Sequence, residues 1–576
     1  MESFTSSVVY LKDVIIGIGN AKGQDIAATR NLYMALCKVE VAARCAPQTE
    51  LVATSNLVCI EEVFNSKFVA INRSMIVVVV HIYEAMLLDC PGYVVRNVMN
   101  TLLTVCNSKV SSMSTRECAA TVIGVVLEKR SADVGSMIND ALNSLMRLIR
   151  GAENPVRIAA AQATISVLVG AGVRASDCHV ELSKLCAKLN TDRLVDLRQR
   201  AAVILSEVGS ASSGFTTVSF EAVLAPAVKG LEDEVGPVQG AFAEAVAHIY
   251  AEQIQSHADE LEQTRAGLAR GGAATTDSSK SPPKTSHRGS LSKLKDMAGL
   301  KDMISAGSVP RKTGEDQDWK SVLQGIFRLM VKAPPVVRAG YVSVLRHLIR
   351  LLMRTVTMDS NALEWLVTSV VLLLRDPAIT ALSYEEAVNF RSRLCHLIRS
   401  GITSSLTETN QIVFAKTLTT FLSTTEMRTE HEVQLVMGEL SHVVTALGEV
   451  AACVCDEIKT VTNLQLRNSS FGARAAAAYL LASLATVLPG QAAVFLKDAL
   501  TGAALQAKQL LVFDEADFSA SASQTQSAGG SESNGEDGPS ASPAPASPRK
   551  SPRDIERLQR MFYFHGECVL CNARDA

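Results

Sequence analysis

Apolar and polar positions in the first half of the chain recur at a long, constant interval. Arg116, Arg157, Arg198 and Gln239 stand 41 residues apart each time. Four residues after each anchor comes Ala120, Ala161, Ala202 or Ala243, and three after comes Ala119, Ala160, Ala201 or Phe242. One residue before are Thr115, Val156, Leu197 and Val238, and two before are Ser114, Pro155, Asp196 and Pro237. Pro, Asp and Ser suit the first turn of a helix, where N–H groups lack partners or need not exist. The alanines then lie one turn in, where two helices must approach closely. Ile123 and Leu127, Ile165 and Leu168, and Ile204 and Leu205 fill the layer between repeats. A period near 40 residues with such an opening predicts an all-α, HEAT/armadillo-like α-solenoid of stacked helical hairpins with disordered insertions.

The stretch Asp89-Cys90-Pro91-Gly92-Tyr93-Val94-Val95-Arg96 resembles the anchor motif out of register and reads as a degenerate repeat. Pro334-Pro335-Val336-Val337-Arg338-Ala339 and Phe471-Gly472-Ala473-Arg474 repeat the motif later, with room for three repeats of about 45 residues between Arg338 and Arg474. The pattern divides the chain into an array over 1–252, a disordered linker over 253–318, a second array over 319–518, a low-complexity segment over 519–553 and the start of a further helix over 554–576. Gly, Ser, Thr, Lys and Pro dominate 270–290, and Ser, Ala, Pro and Gly dominate 519–553. Neither composition can bury enough apolar area to order itself. The end of the chain reads as a piece of a longer solenoid or as a chain cut short.

Charge gives no reason to expect nucleic acid or anionic membrane as the main partner: 56 basic residues face 58 acidic ones, for a net −2. The strongest apolar runs, Met75–Val80 and Trp365–Leu374, fall short of the roughly 20 residues that cross a bilayer. No integral membrane segment is therefore expected, although peripheral association is open. The opening Met1-Glu2-Ser3-Phe4 shows no secretory signal. Thirteen scattered cysteines, among them Cys37, Cys118, Cys186 and Cys395, read as small core residues in a reduced, cytoplasmic compartment.

A search for chemistry finds no catalytic set, and no enzyme activity or cofactor is expected. Gly17-Ile18-Gly19-Asn20-Ala21-Lys22-Gly23 has dinucleotide-turn spacing wrong by one residue and is expected to be an ordinary loop. Cys568-Val569-Leu570-Cys571 and Cys453-Val454-Cys455 lack the second ligand pair that a structural zinc requires. His81, His347 and His396 lie among apolar helical residues and are expected to be packed, not metal-ligating. Leu291 to Ile304 has helical apolar spacing with lysines opposite, a short amphipathic helix able to dock on a partner, on lipid or on nothing. Ser281, Ser547 and Ser551 precede prolines and are candidate phosphorylation sites. Phe513-Asp514-Glu515-Ala516-Asp517-Phe518 is an acidic-aromatic string that could equally be a partner motif or ordinary helix-end residues.

Several blocks together resemble the N-terminal region of the HEAT repeat-containing protein 5 family, which includes SWEETIE and the large accessory protein of the clathrin adaptor. They are His81-Ile82-Tyr83-Glu84-Ala85-Met86, Leu189 to Leu205 with Val195-Asp196-Leu197-Arg198, the Leu291 to Gly307 insert, and Ala473 to Leu496. The resemblance spans roughly 65–510 and rests on helix-packing signatures. It implies a scaffold in vesicle traffic between endosomes, the trans-Golgi and the plasma membrane, bound to clathrin adaptor or coat accessory subunits and peripheral to those membranes. The rival expectation is a generic HEAT regulatory scaffold or nuclear transport receptor.

Overall fold

The computed structural model describes residues 3–21, 24–66, 69–87, 90–211, 219–271, 319–355, 359–424 and 428–511. Among them there is no strand: the protein is an all-α, HEAT/armadillo-like α-solenoid of helical hairpins. Contacts divide it into two units, Met1–Thr355 and Val356–Ala576.

The first unit contains α1 (Phe4–Asn20), α2 (Ile26–Ala43), α3 (Gln48–Leu51), α4 (Thr54–Asn65), α5 (Arg73–Leu87), α6 (Gly92–Asn107), α7 (Met113–Arg130) and α8 (Met137–Gly151). It continues with α9 (Asn154–Ala171), α10 (His179–Leu189), α11 (Val195–Ala211), α12 (Phe220–Lys229), α13 (Gly236–Gly271), α14 (Trp319–Lys332) and α15 (Pro335–Thr355). Two rows result. Helices α1, α4, α6, α8, α10 and α12 follow one another in the first, and α2, α5, α7, α9, α11, α13 and α15 in the second. Side-chain caps set several starts: the Ser112 hydroxyl accepts from the Thr115 N–H at 3.1 Å, and Asp25 from the Ala28 N–H at 2.6 Å.

The core lies between the rows. Ala120, Ala161, Ala202, Ala243, Ala119, Ala160, Ala201 and Phe242 are all buried, as are Val156, Leu197 and Val238. Small residues let neighbouring second-row helices touch backbone to backbone. A Cβ on Gly170 would lie 2.3 Å from the Leu127 carbonyl oxygen, and one on Gly124 would lie 2.8 Å from the Ala163 Cα.

The second unit holds α16 (Ser360–Leu372), α17 (Pro377–Thr380), α18 (Tyr384–Leu397), α19 (Glu408–Ser423), α20 (Glu430–Leu447), α21 (Cys455–Leu466), α22 (Phe471–Val487) and α23 (Ala492–Leu511). Here α16, α19 and α21 form one row and α18, α20 and α22 the other. Capping boxes start α18 (Ser383 with Glu386) and α20 (Thr429 with Glu432).

At the level of the fold, the structure departs from the sequence expectations at four places. The pattern breaks at 253, yet α13 continues to Gly271, and the hairpin α14–α15 packs on α13 inside the first unit, so the observed division falls at 355. Gly340 of α15 meets Leu231, in the turn before α13, whose Cβ would lie 3.1 Å from an added Cβ. The expected loop at Gly17–Gly19 is instead the last turn of α1, because the buried series Phe4, Val8, Leu11, Ile15 and Ile18 keeps helical spacing through both glycines. The degenerate repeat at Val94–Arg96 is out of register because it opens α6, the first helix of its hairpin, where the anchors open second helices.

The fourth departure concerns apolar length. Asn154–Leu189 and Glu430–Leu466 are long and apolar enough to cross a membrane by length and composition alone. Counting unbroken apolar runs overlooked them because Ala, Gly and Ser are interspersed. Each is interrupted at a glycine with positive φ, Gly172 (53°) and Gly448 (59°), and each buries one side, Val156, Leu168 and Leu182 in the first and Val436, Leu440 and Ile458 in the second, while Val169, Val173 and Leu464 stay exposed.

Candidate interaction surface

The repeat anchors form a chain of polar contacts between hairpins. The Arg157 and Arg198 guanidinium groups sit where the first helix of a hairpin ends and the second begins, beside carbonyls that helix geometry leaves without partners. Arg157 Nε donates to the Ile149 carbonyl at 2.8 Å, and Arg198 Nη1 to the Asp192 carbonyl at 2.8 Å. The same side chains, and that of Arg116, reach forward to a carboxylate of the next hairpin. Arg116 donates to both Glu153 oxygens at 2.9 and 2.8 Å, Arg157 pairs with Asp192, and Arg198 donates to Asp233 at 2.6 and 3.2 Å. Asp192 and Asp233 are held in place by accepting the Leu194 and Val235 N–H groups, each at 2.9 Å. The Leu194 and Arg157 contacts keep the Asp192 carboxyl below its ordinary range although burial pushes it up.

The remaining anchors bond backbone carbonyls. Gln239 donates to the Leu231 carbonyl at 2.8 Å and to that of Val336 at 3.0 Å. Arg338 donates to the carbonyls of Met330, Val331 and Ala333, at 3.4, 3.4 and 3.0 Å. Arg474 donates to those of Asn468 and Ser469, at 2.8 and 2.9 Å. The carboxylates Glu153, Asp192 and Asp233 were not singled out from the sequence. A signal existed: Asp192, Asp233 and Asn468 each stand six residues before an anchor. In each case the side-chain oxygen accepts the N–H two residues on, at 2.9 Å.

In the second unit, two glutamates with no exposed side-chain surface are paired across helices. Glu432 bonds Arg375, and Glu439 accepts from Arg399 Nε at 3.0 and 3.1 Å. Arg399 lies in the π-turn Ile398–Ile402 that follows α18. Burial raises the Glu439 carboxyl against the pull of Arg399, and burial followed by Glu439 pushes the Cys395 thiol up to about 12.

Among the described residues, no group of three or more His, Cys, Asp and Glu is placed to hold a metal ion. Cys118 and Cys186 are buried, with thiols pushed up by burial, while Cys37 and Cys395 are half-buried. Of the close pair, Cys453 is exposed and Cys455 donates to Gln491 at 3.5 Å. His81 is half-buried and stands 2.9 Å from a Glu40 carboxylate oxygen, whereas His396, expected to be packed, is exposed on α18. His347 is half-buried and its imidazole is pushed down to about 4 by burial and then by Arg346. Ser281, Ser547, Ser551, Cys568, Cys571, the 291–304 helix, the Phe513–Phe518 string and the segments 519–553 and 554–576 all lie outside the described residues.

What the first unit does present is a graded surface on its second row. Five residues after each anchor stand Thr121, Gln162, Val203, Glu244 and Ser343, and nine after stand Val125, Ser166, Glu207, His248 and His347. All are exposed or half-buried. The helices α7 and α9 offer small polar and apolar groups here, while α11 and α13 add Glu207, Glu244 and Glu252. Burial raises the carboxyls of Glu207 and Glu252, opposed by His248.

No protein-family model and no curated relative matches the chain. Solved structures similar to it include the Kap95:Nup1 complex, at 12% identity and TM-score 0.42 over 90% of this chain and 61% of that one. Importin beta crystallised in ammonium sulfate aligns at 11% identity and TM-score 0.34 over 84% of this chain and 58% of that one. Kap121p aligns at 11% identity and TM-score 0.34 over 88% and 57%. The chain thus spans about three-fifths of the length of these proteins. The assignment as a HEAT-type helical-repeat protein stands on its own helices and their two-row order.

Proposed function

We propose that the chain is a non-catalytic, protein-binding scaffold of the HEAT type, a regulatory scaffold or transport receptor in the broad sense. The observation that carries this is the second-row surface of the first unit: parallel helices held in constant step by the anchor contacts, exposing side chains that change in character from helix to helix. Such a surface recognises a partner over many repeats. A narrower role in vesicle traffic, with clathrin adaptor or coat accessory subunits as partners and a cytoplasmic location peripheral to Golgi or endosomal membranes, rests on the sequence blocks quoted above. No family model or curated relative adds to it. The broader class is therefore the one put forward.

Affinity purification of the full chain from cytosol tests both. Stable, salt-sensitive recovery of partner proteins supports the scaffold reading, and its absence under gentle conditions refutes it. Adaptor or coat subunits among them favour the trafficking role; nucleoporins or transport cargo in their place favour a transport receptor.

A further inference from the structure

The hairpin α14–α15 is electrostatically unlike the rest of the chain. Residues 319–355 contain seven Lys and Arg and no Asp or Glu, within a chain whose net charge is −2. Three of these cations, Arg346, Arg350 and Arg354, follow at intervals of four residues along α15 and so share one slanting stripe. Arg350 and Arg354 are exposed and Arg346 is half-buried, with His347 beside it. Burial and then Arg350 pull Arg346 below its ordinary value, while burial and then Arg346 pull His347 down. The carboxylate that offsets both is Glu244, across on α13. A face that gathers like charges at this density gains most from an anionic occupant.

We infer that the Arg346–Arg350–Arg354 stripe of α15 is a docking site for an acidic segment of a partner protein, bound extended alongside the helix. The spacings match. Successive arginines rise about 6 Å along the helix axis, and alternate residues of an extended chain advance about 6.6–7 Å. Carboxylates on every second residue therefore meet successive guanidinium groups, whose fork suits them. A single-stranded nucleic acid fits less well, because its bases seek aromatic platforms and the aromatic residue of α15, Tyr341, is buried. A lipid surface also fits less well: the exposed large apolar residue of α15 is Val336, in its first turn, away from the arginines.

The inference rests on the scaffold reading, and its test separates the two. The full chain is titrated, by fluorescence anisotropy, with a labelled peptide of alternating Asp and Ser and with its Asn/Ser counterpart. An R350E/R354E double variant is compared after its thermal melting has been matched to the native chain. Salt-sensitive binding of the Asp peptide alone, weakened about tenfold or more in the variant, is expected. Arg354→Glu by itself, at the exposed end of the helix, replaces the double change if that fails to fold. Equal binding by the variant or by the Asn peptide overturns the inference. So does tighter, stripe-dependent binding of oligouridine or of phosphatidylserine vesicles. If no acidic peptide binds while affinity purification still returns partners, this site is refuted and the scaffold reading stands.

Discussion

Arg198 shows how one residue type serves two ends at once. Its fork donates backward to the Asp192 carbonyl and forward to Asp233, whose side chain is 11% exposed. Arg198→Ala would leave a carbonyl and a largely buried carboxylate without their cation, and is expected to cost about 1–3 kcal/mol in chemical denaturation. Arg198→Lys should recover only part of that, since an ammonium cannot span both partners. His347 gives a pH dependence with a definite sign. Its folded value of about 4 lies below the ordinary 6.5 because burial and then Arg346 disfavour the charged ring. The unfolded chain therefore takes up the proton first as pH falls. The contribution to stability is complete above about pH 6.5 and is lost as pH drops toward 4. His347→Gln should flatten that part of the Tm-against-pH curve; an unchanged acid limb would show that the ring is not responsible.

Between elements, the decisive quantity is how near two backbones come. Gly170→Ala would set a methyl 2.3 Å from the Leu127 oxygen, in the tight α7–α9 seam. A loss of about 1–3 kcal/mol by overpacking is expected, read as a lowered Tm. The repeat alanines make a parallel case. Ala161→Leu and Ala202→Leu each force a larger group into a position with no exposed surface and should cost a similar amount, about 1–3 kcal/mol. Neutral melts for both would contradict the packing described. Periodicity placed these alanines in the sequence, but it could not distinguish α6 from a second-row helix, since Val94-Val95-Arg96 carries the same apolar spacing. The glycines near the start misled for a related reason. Gly17 and Gly19 look like turn residues locally, yet the burial of Ile15 and Ile18 outweighs the glycine cost of roughly 1 kcal/mol each in a helix.

At the scale of the molecule, the stability of the first unit is expected to depend on residues beyond the point where the sequence pattern fades. Helix α13 packs on α15, and Leu231 meets Gly340. A chain ending at 355 should therefore melt higher, and with a sharper transition, than one ending at 252. Equal melting would mean that α14–α15 adds nothing to this unit.

By itself the sequence determined that the chain is helical, that its hairpins repeat, and which small residues lie between helices, because burial imposes a period that any reader of apolar positions can follow. The recurring arginine positions are legible there as well. The partners of those anchors and the membership of α14–α15 in the first unit were decided by tertiary structure. Each depends on contacts between residues about 35 to 100 positions apart (Arg198 with Asp233, Gln239 with Val336). Local propensity carries no information at that range: it records what a segment prefers to be, and only packing determines what it stands beside.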